Sequence, residues 1–298
     1  MKRKEAAGKE PMEREGTVTK IISSQYTVQT PDGPVTAVPA GKLRRDRKPV
    51  VGDHVTVSRI QDSWRIEKIH PRQNELLRPR VANVDQALVV TSCKDPDFSQ
   101  RLLDRLLFLT ELSNIRPVIL LTKTDLVDPG ELEQIRGLLD LYAACGYTVL
   151  ESCPGSGDEQ LAALLKGRIS VLCGQSGAGK SSLLNRLDPS FHLRTQEISK
   201  ALGRGKHTTR HCELHEVAKG LVADTPGFSS LDFSRMDLSG LDRKLTAFSP
   251  WTGQCRFADC RHINEPDCAI KQAVDAGRIP QGLYDDYKFL RQEEHNRR

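Results

Sequence analysis

The octapeptide Gly174-Gln175-Ser176-Gly177-Ala178-Gly179-Lys180-Ser181 constrains this 298-residue chain more than any other stretch. It follows the apolar run "ISVLC" and opens the helix-forming run "SSLLNRL". Gly174, Gly179, Lys180 and Ser181 satisfy the spacing G-x4-G-K-[ST]. A glycine-rich turn in that setting aims backbone N–H groups at a phosphate, and the helix N-terminus adds a favourable dipole. In such a loop Lys180 reaches the β- and γ-phosphates and Ser181 can ligate Mg²⁺. Gln175, Ser176, Gly177, Ala178 and Ser182 complete the candidate cradle.

Downstream, "LVADTPGF" at 221–228 delivers Asp224 and Gly227 from a strand into a loop. Asp224 would hold Mg²⁺ through water, and the Gly227 N–H would meet the γ-phosphate. Between the two lies "LGRGKHTTR" at 202–210, polar, basic and glycine-rich. A threonine there can ligate Mg²⁺ when the γ-phosphate is present. Thr208 and Thr209 are both candidates, and Thr209 is preferred. Phe228 stands where many signalling GTPases carry a water-orienting Gln, and a phenyl ring cannot orient water. His207 in the polar loop can hold a water near neutral pH, so it is the candidate catalytic residue beside Lys180 and Thr209.

A second signal lies upstream. "TKTD" at 122–125 ends an apolar strand. Asp125 can accept hydrogen bonds from N1–H and N2–H₂ of guanine. Adenine offers neither donor there, and an unpaired carboxylate is costly. Lys123 would lie along the base plane. Thr122 replaces the usual Asn and is expected to lose one amide bridge. "ESCPGSG" at 151–157 supplies Ser152 and Cys153 where GTPases carry a short base-contacting loop. Base-reading motifs thus precede the phosphate loop, the reverse of the ordinary order. A circular permutation accounts for this, because in a parallel sheet each loop is placed by its own strand.

The remaining chain divides accordingly. Residues 1–15 read as a disordered leader without an apolar core, hence not a secretory signal. Residues 16–75 alternate β-branched and polar positions in short strands, which fits a small β-barrel, an OB-fold or a generic SH3-like one. Residues 82–232 alternate strands and helices, which predicts a mostly parallel, covered α/β sheet. Residues 233–298 break that alternation and end in a helix around "QGLYDDYKFLRQEEH". No run of eighteen apolar residues exists, so no membrane partner and a cytoplasmic location are expected. Residues 1–80 hold 17 Lys/Arg against 10 Asp/Glu, concentrated in the basic loop 41–49, while the remainder sums to −2. A basic front on a near-neutral body suggests a polyanion such as RNA.

Eight cysteines in a reducing compartment should be thiols or metal ligands. Cys93, Cys145, Cys153, Cys173 and Cys212 read as small buried hydrophobes. Cys255, Cys260, His262 and Cys268 cluster as C-x4-C-x-H-x5-C and suit one closed tetrahedral zinc site. Their polar surroundings cannot build a core without the metal.

Permuted GTPase motifs behind a β-barrel and ahead of a C-x4-C-x-H-x5-C cluster resemble the ribosome small-subunit-dependent GTPase A family over about residues 16–295. The resemblance implies a multidomain protein: an N-terminal OB-fold, a circularly permuted P-loop GTPase and a zinc-binding helical module. It implies GTP/GDP and Mg²⁺ as ligands, and GTP hydrolysis stimulated by the small ribosomal subunit and its rRNA late in that subunit's maturation. It also points to His207. A monomer is expected. Competing readings are a nucleotide-gated RNA-binding protein with incidental hydrolysis, and an ATP-dependent enzyme that Asp125 disfavours.

Overall fold

The computed structural model describes residues 12–46, 48–77, 80–191, 212–223, 238 and 240–297. His207, Thr208, Thr209, Asp224, Gly227 and Phe228 lie outside the described residues. Those described form two compact units, one of 12–83 with 212–214 and one of 84–191 with 215–297.

The first unit is a closed five-stranded barrel in the order β1-β2-β3-β5-β4, closed by pairing of β1 with β4. Its strands are β1 (Glu13–Ile22), β2 (Gln25–Thr30), β3 (Gly33–Pro39), β4 (His54–Ile60) and β5 (Ser63–Ile69). β1 thus begins inside the segment read as a leader, because Glu13–Thr17 pair with β4. Period-two alternation points Tyr26, Val28 and Thr30 inward along β2. Tyr26 and Val28 meet Val18, Ala37, Val55, Val57 and Ile66 in the barrel core. β3 and β5 pair in parallel while the other pairs are antiparallel. That pairing, with a helix between β3 and β4, is an OB arrangement.

This helix, α1 (Gly41–Asp46), occupies most of the stretch read as a basic loop. Lys and Arg are good helix formers, and Leu43 packs onto the barrel core. A hairpin of β6 (Glu75–Leu77) and β7 (Arg80–Ala82) follows the barrel. The buried Asp53 carboxylate there receives the Arg72 guanidinium at 2.6 and 2.8 Å and the Val50 N–H at 2.7 Å.

The second unit contains β8 (Gln86–Ser92), α2 (Gln100–Leu112), β9 (Arg116–Thr122), α3 (Pro129–Ala144) and β10 (Thr148–Ser152). It continues through α4 (Asp158–Leu165), β11 (Ile169–Gly174), α5 (Lys180–Leu187), β12 (Leu214–Val217, all but its first residue in this unit) and β13 (Gly220–Ala223). The sheet order is β10-β9-β8-β11-β13-β12, and the pairs from β10 through β13 are parallel. β11 is buried along its whole length, as a strand covered on both faces must be. Leu88, Val90, Leu120 and Leu172 pack with Leu161 and Leu165 of α4 and Leu183 and Leu184 of α5. Local signals start the helices. The Leu102 N–H donates to the Ser99 hydroxyl, and Asp128 caps α3 ahead of Pro129.

The same unit ends in α6 (Leu241–Lys244), α7 (Ala269–Asp275) and α8 (Gln281–Arg297); α6 and α8 pack on α2, and the Cys145 thiol just after α3 donates to the Arg278 carbonyl between α7 and α8. Buried carboxyls hold this seam. Glu111 of α2 accepts the Thr246 N–H at 2.9 Å and the Tyr147 hydroxyl at 3.2 Å. Asp104, fully buried, accepts from the Tyr142 hydroxyl. Arg101 pairs with Asp286 of α8 at 3.4 Å, and Lys244 donates to the Leu112 carbonyl at 2.9 Å.

Candidate nucleotide-binding site and metal centre

Parallel register fixes which loops meet. Ser92 lies opposite Thr122, Thr122 opposite Ser152, and Gly174 opposite Val90. The strands carrying both base-reading motifs and the phosphate loop therefore end on one edge of one sheet, where ligands of open α/β sheets collect.

The phosphate loop has the backbone its motif demands. Gly174 sits at φ +140°, and a Cβ there would lie 2.1 Å from the Val90 carbonyl oxygen, so glycine is obligatory. Gln175, Ser176, Gly177, Ser181 and Ser182 face solvent, whereas Ala178 is buried beneath them. Gly179 is the N-cap of α5, which leaves the first N–H groups of the helix pointing into the loop. Lys180 Nζ folds over the loop, donating to the carbonyls of Gly174 at 2.9 Å and Gln175 at 2.7 Å.

Across the strand, Thr122 is 4% exposed. Its hydroxyl lies 2.7 Å from the Ala178 carbonyl and 3.2 Å from that of Thr91. The shorter side chain still reaches the phosphate loop itself. Lys123 adopts a left-handed conformation at φ 57° and donates to the Asp95 carbonyl. Asp125 stands exposed in the turn Thr124–Leu126, free to meet a base edge. Ser152 is buried at the end of β10, while Cys153 is half-buried and exchanges backbone hydrogen bonds with Ser156 at 3.2 and 3.0 Å.

Sequence reasoning missed three contributors. The 93–98 loop borders the phosphate loop, Asp95 and Pro96 lying beside Gly177, with Asp95 holding Lys123 and the Ser92 hydroxyl donating to the Pro96 carbonyl at 2.6 Å. Arg186 and Asp158 join α5 to the start of α4 at 3.0 Å. A basic residue in a helix and an acidic one at a helix start carry no local sign of pairing across 28 positions.

Cys93, Cys145 and Cys173 are buried as expected, and burial pushes their thiols up to about 11, about 11 and about 12. They are inert at neutral pH. Cys153 and Cys212 depart from the reading, being only half-buried.

Cys255, Cys260, His262 and Cys268 converge, with ligand atoms all within 4.8 Å of one another. Cys255 Sγ lies 3.5 Å from His262 Nδ1 and 3.9 Å from Cys268 Sγ, and Nδ1 is 3.3 Å from Cys268 Sγ. Tetrahedral zinc with three sulfurs and one nitrogen needs roughly 3.5–3.8 Å between ligand atoms, so this donor set fits the ion. Between residues 251 and 268 only Cys260, His262 and Cys268 are buried. The segment has no apolar core of its own, as its composition predicted.

His262 presents Nδ1 to the thiols and Nε2 to Asp242, whose Oδ2 is 3.9 Å away. Burial lowers the His262 pKa, favouring the neutral imidazole a metal requires. Tyr284 and Tyr287 donate to the carbonyls of His262 and Arg261 at 2.9 Å each. Glu265 gathers the N–H groups of Arg261, Ile263 and Asn264 at 2.9–3.1 Å. Beside the cluster opens a cleft of about 970 Å³ whose lining includes Arg243, Arg256, Arg261 and Arg291.

A phosphate cradle on α5, with the base-reading strands ahead of it in sequence and beside it in space, defines a circularly permuted GTPase. Residues 69–234 match the model of the RsgA GTPase and residues 15–64 that of the RsgA N-terminal domain. The chain belongs to the RsgA GTPase family, and is a GTP-hydrolysing enzyme of that class. It is 46% identical over 278 residues to the small ribosomal subunit biogenesis GTPase RsgA of Geobacillus kaustophilus, covering 92% of this chain and 94% of the relative. The Enterococcus faecalis protein of the same name is 44% identical over 287 residues, covering 95% and 96%. Among solved structures, YloQ, described as a circularly permuted GTPase, superposes with a TM-score of 0.83 at 35% identity, covering 96% of each chain. YjeQ from Thermotoga maritima superposes with a TM-score of 0.81 at 33% identity, covering 96% of this chain and all of the other.

Proposed function

We propose that this chain binds and hydrolyses GTP on the small ribosomal subunit during its late maturation, and that the subunit stimulates hydrolysis. The observation that carries the reading is the contact of Thr122 with Ala178, 2.7 Å, which joins a guanine-reading strand to a phosphate loop. Relatives across 92–95% of the chain are named for small-subunit biogenesis, and the arginine-lined cleft beside the cysteines suits a phosphate backbone.

In this reading Asp125 pairs with the guanine edge, Lys123 lies along the base, and Ser152 and Cys153 close over it. Residues 174–182 surround the phosphates with N–H groups, and Lys180 offsets charge that grows on the leaving oxygens. Ser181, Thr209 and Asp224 are assigned to Mg²⁺, which when bound neutralises the β- and γ-oxygens. His207 is assigned to orient the attacking water. Cys255, Cys260, His262 and Cys268 hold one structural zinc. The barrel domain starts at Glu13 rather than 16 and is followed by domains at 82–232 and 233–298, and the protein works as a cytoplasmic monomer; among the described residues no helix is long and apolar enough to cross a membrane.

The test is GTP turnover by the purified protein titrated with small subunits, alongside GDP and ADP affinities. Turnover rising with subunit and a preference for GDP are expected. Turnover indifferent to the subunit overturns the ribosomal reading, and equal affinities overturn the guanine site.

A further inference from the structure

One guanidinium grips both ends of the base-contacting loop. Arg186, in the last turn of α5, donates through Nη2 to the Ser152 hydroxyl, which closes β10. The same side chain meets Asp158, the first residue of α4, from Nη2 at 3.0 Å and from Nε at 3.2 and 3.3 Å. Ser152 and Asp158 also approach each other at 3.4 Å. Only residues 153–157 lie between these two anchors. Gly157 turns the chain at φ +85° so tightly that a Cβ would lie 2.2 Å from the Glu151 carbonyl oxygen.

α5 begins at Lys180, immediately after the phosphate loop. A rigid two-turn helix therefore carries the phosphate cradle at one end and the loop's anchor at the other. We infer that Arg186 is a positioning residue for guanine recognition, setting the 153–157 loop at a fixed distance from the phosphates. The inference rests on the guanine reading of this edge. Arginine suits the task because its planar fork serves a carboxylate and a hydroxyl in a fixed geometry, where lysine offers a flexible point charge. The Arg186 and Asp158 side chains are 25% and 34% exposed, so their Coulomb attraction is screened and contributes little to global stability. What the contact can do is narrow the loop's positions, and that bears on the base far more than on the phosphates.

The experiment measures GDP and ADP affinities of the full-length protein by competition against a fluorescent GDP, for wild type, Arg186→Met, Arg186→Lys, Asp158→Asn and the Arg186→Met/Asp158→Asn pair. Arg186→Met should weaken GDP binding about three- to tenfold while ADP affinity stays within about twofold, shrinking the preference for guanine. Asp158→Asn should do the same, the pair should lose no more than the worse single variant, and lysine should restore part of the loss. If Arg186→Met fails to fold, Asp158→Asn carries the comparison from its more exposed side. An unchanged GDP/ADP ratio in the folded variants overturns the inference. A wild-type protein that does not prefer GDP overturns instead the guanine reading beneath it.

Discussion

The Thr122 hydroxyl and the Ala178 carbonyl, 56 positions apart in sequence, are 2.7 Å apart in space. This bond stitches the end of β9 to the floor of the phosphate loop two residues before Lys180. Removing the hydroxyl while keeping the shape leaves a buried carbonyl short of a donor. Thr122→Val is expected to weaken GDP binding about fivefold, near 1 kcal/mol, and Thr122→Ser to stay within about twofold of wild type. Titration with a fluorescent GDP decides it; equal affinities for Val and Thr would remove the stitch from the account.

The seam on α2 should respond to pH. Burial raises the Asp104 carboxyl to about 8 and that of Glu111 to about 7. Facing Asp104 are Tyr142, whose hydrogen bond opposes the shift, and Asp286, which reinforces it. Both carboxyls keep protons in the fold that the unfolded chain releases near pH 4. Stability is then fullest below the unfolded values and is lost as pH rises through the folded ones. Asparagine mimics the protonated acid. Asp104→Asn should gain on wild type by roughly 2–3 kcal/mol between about pH 6 and about pH 8.5, seen in paired urea unfolding curves. A constant difference between the curves would show Asp104 ionising normally.

Asp242 stands 3.9 Å from the outward nitrogen of His262, outside hydrogen-bond distance but on the side from which a carboxylate steers a metal-bound imidazole. Asp242→Ala should lower zinc affinity about 10- to 100-fold, measured by competition with a chromogenic chelator. Asp242→Asn should fall between. Zinc affinity that ignores position 242 would reduce the carboxylate to a bystander.

His207 tests the assignment of water activation. His207→Ala should cut subunit-stimulated turnover at least about 100-fold, with GTP affinity within about twofold. Stimulated turnover at the wild-type rate would reassign the role.

Much of this architecture was legible in the residues. Alternating apolar strands and amphipathic helices from β8 to α5 follow directly from hydrophobic periodicity. The phosphate loop and the cysteine cluster announced themselves because their spacing is short and their chemistry narrow. What stayed hidden depends on distant neighbours. α1 lies in a charge-rich stretch whose one useful apolar residue, Leu43, gains meaning only against the barrel core. Asp95, Asp158, Arg186 and Asp242 are ordinary charged residues until the sheet register and the module's fold deliver their partners. Thr122 could be recognised as a departure from Asn, but only the fold reveals that its hydroxyl reaches Ala178.

Gly174 abuts Val90, on a strand that precedes it in the chain by more than eighty residues and belongs to the base-reading half. The line between β8 and β11 is thus where two pieces of one catalyst are pressed together, and neither piece owns the pocket. A gene can be recut and rejoined elsewhere around the periphery and still encode the same machine. Such recutting changes which strand comes first in the chain, never which strands lie side by side.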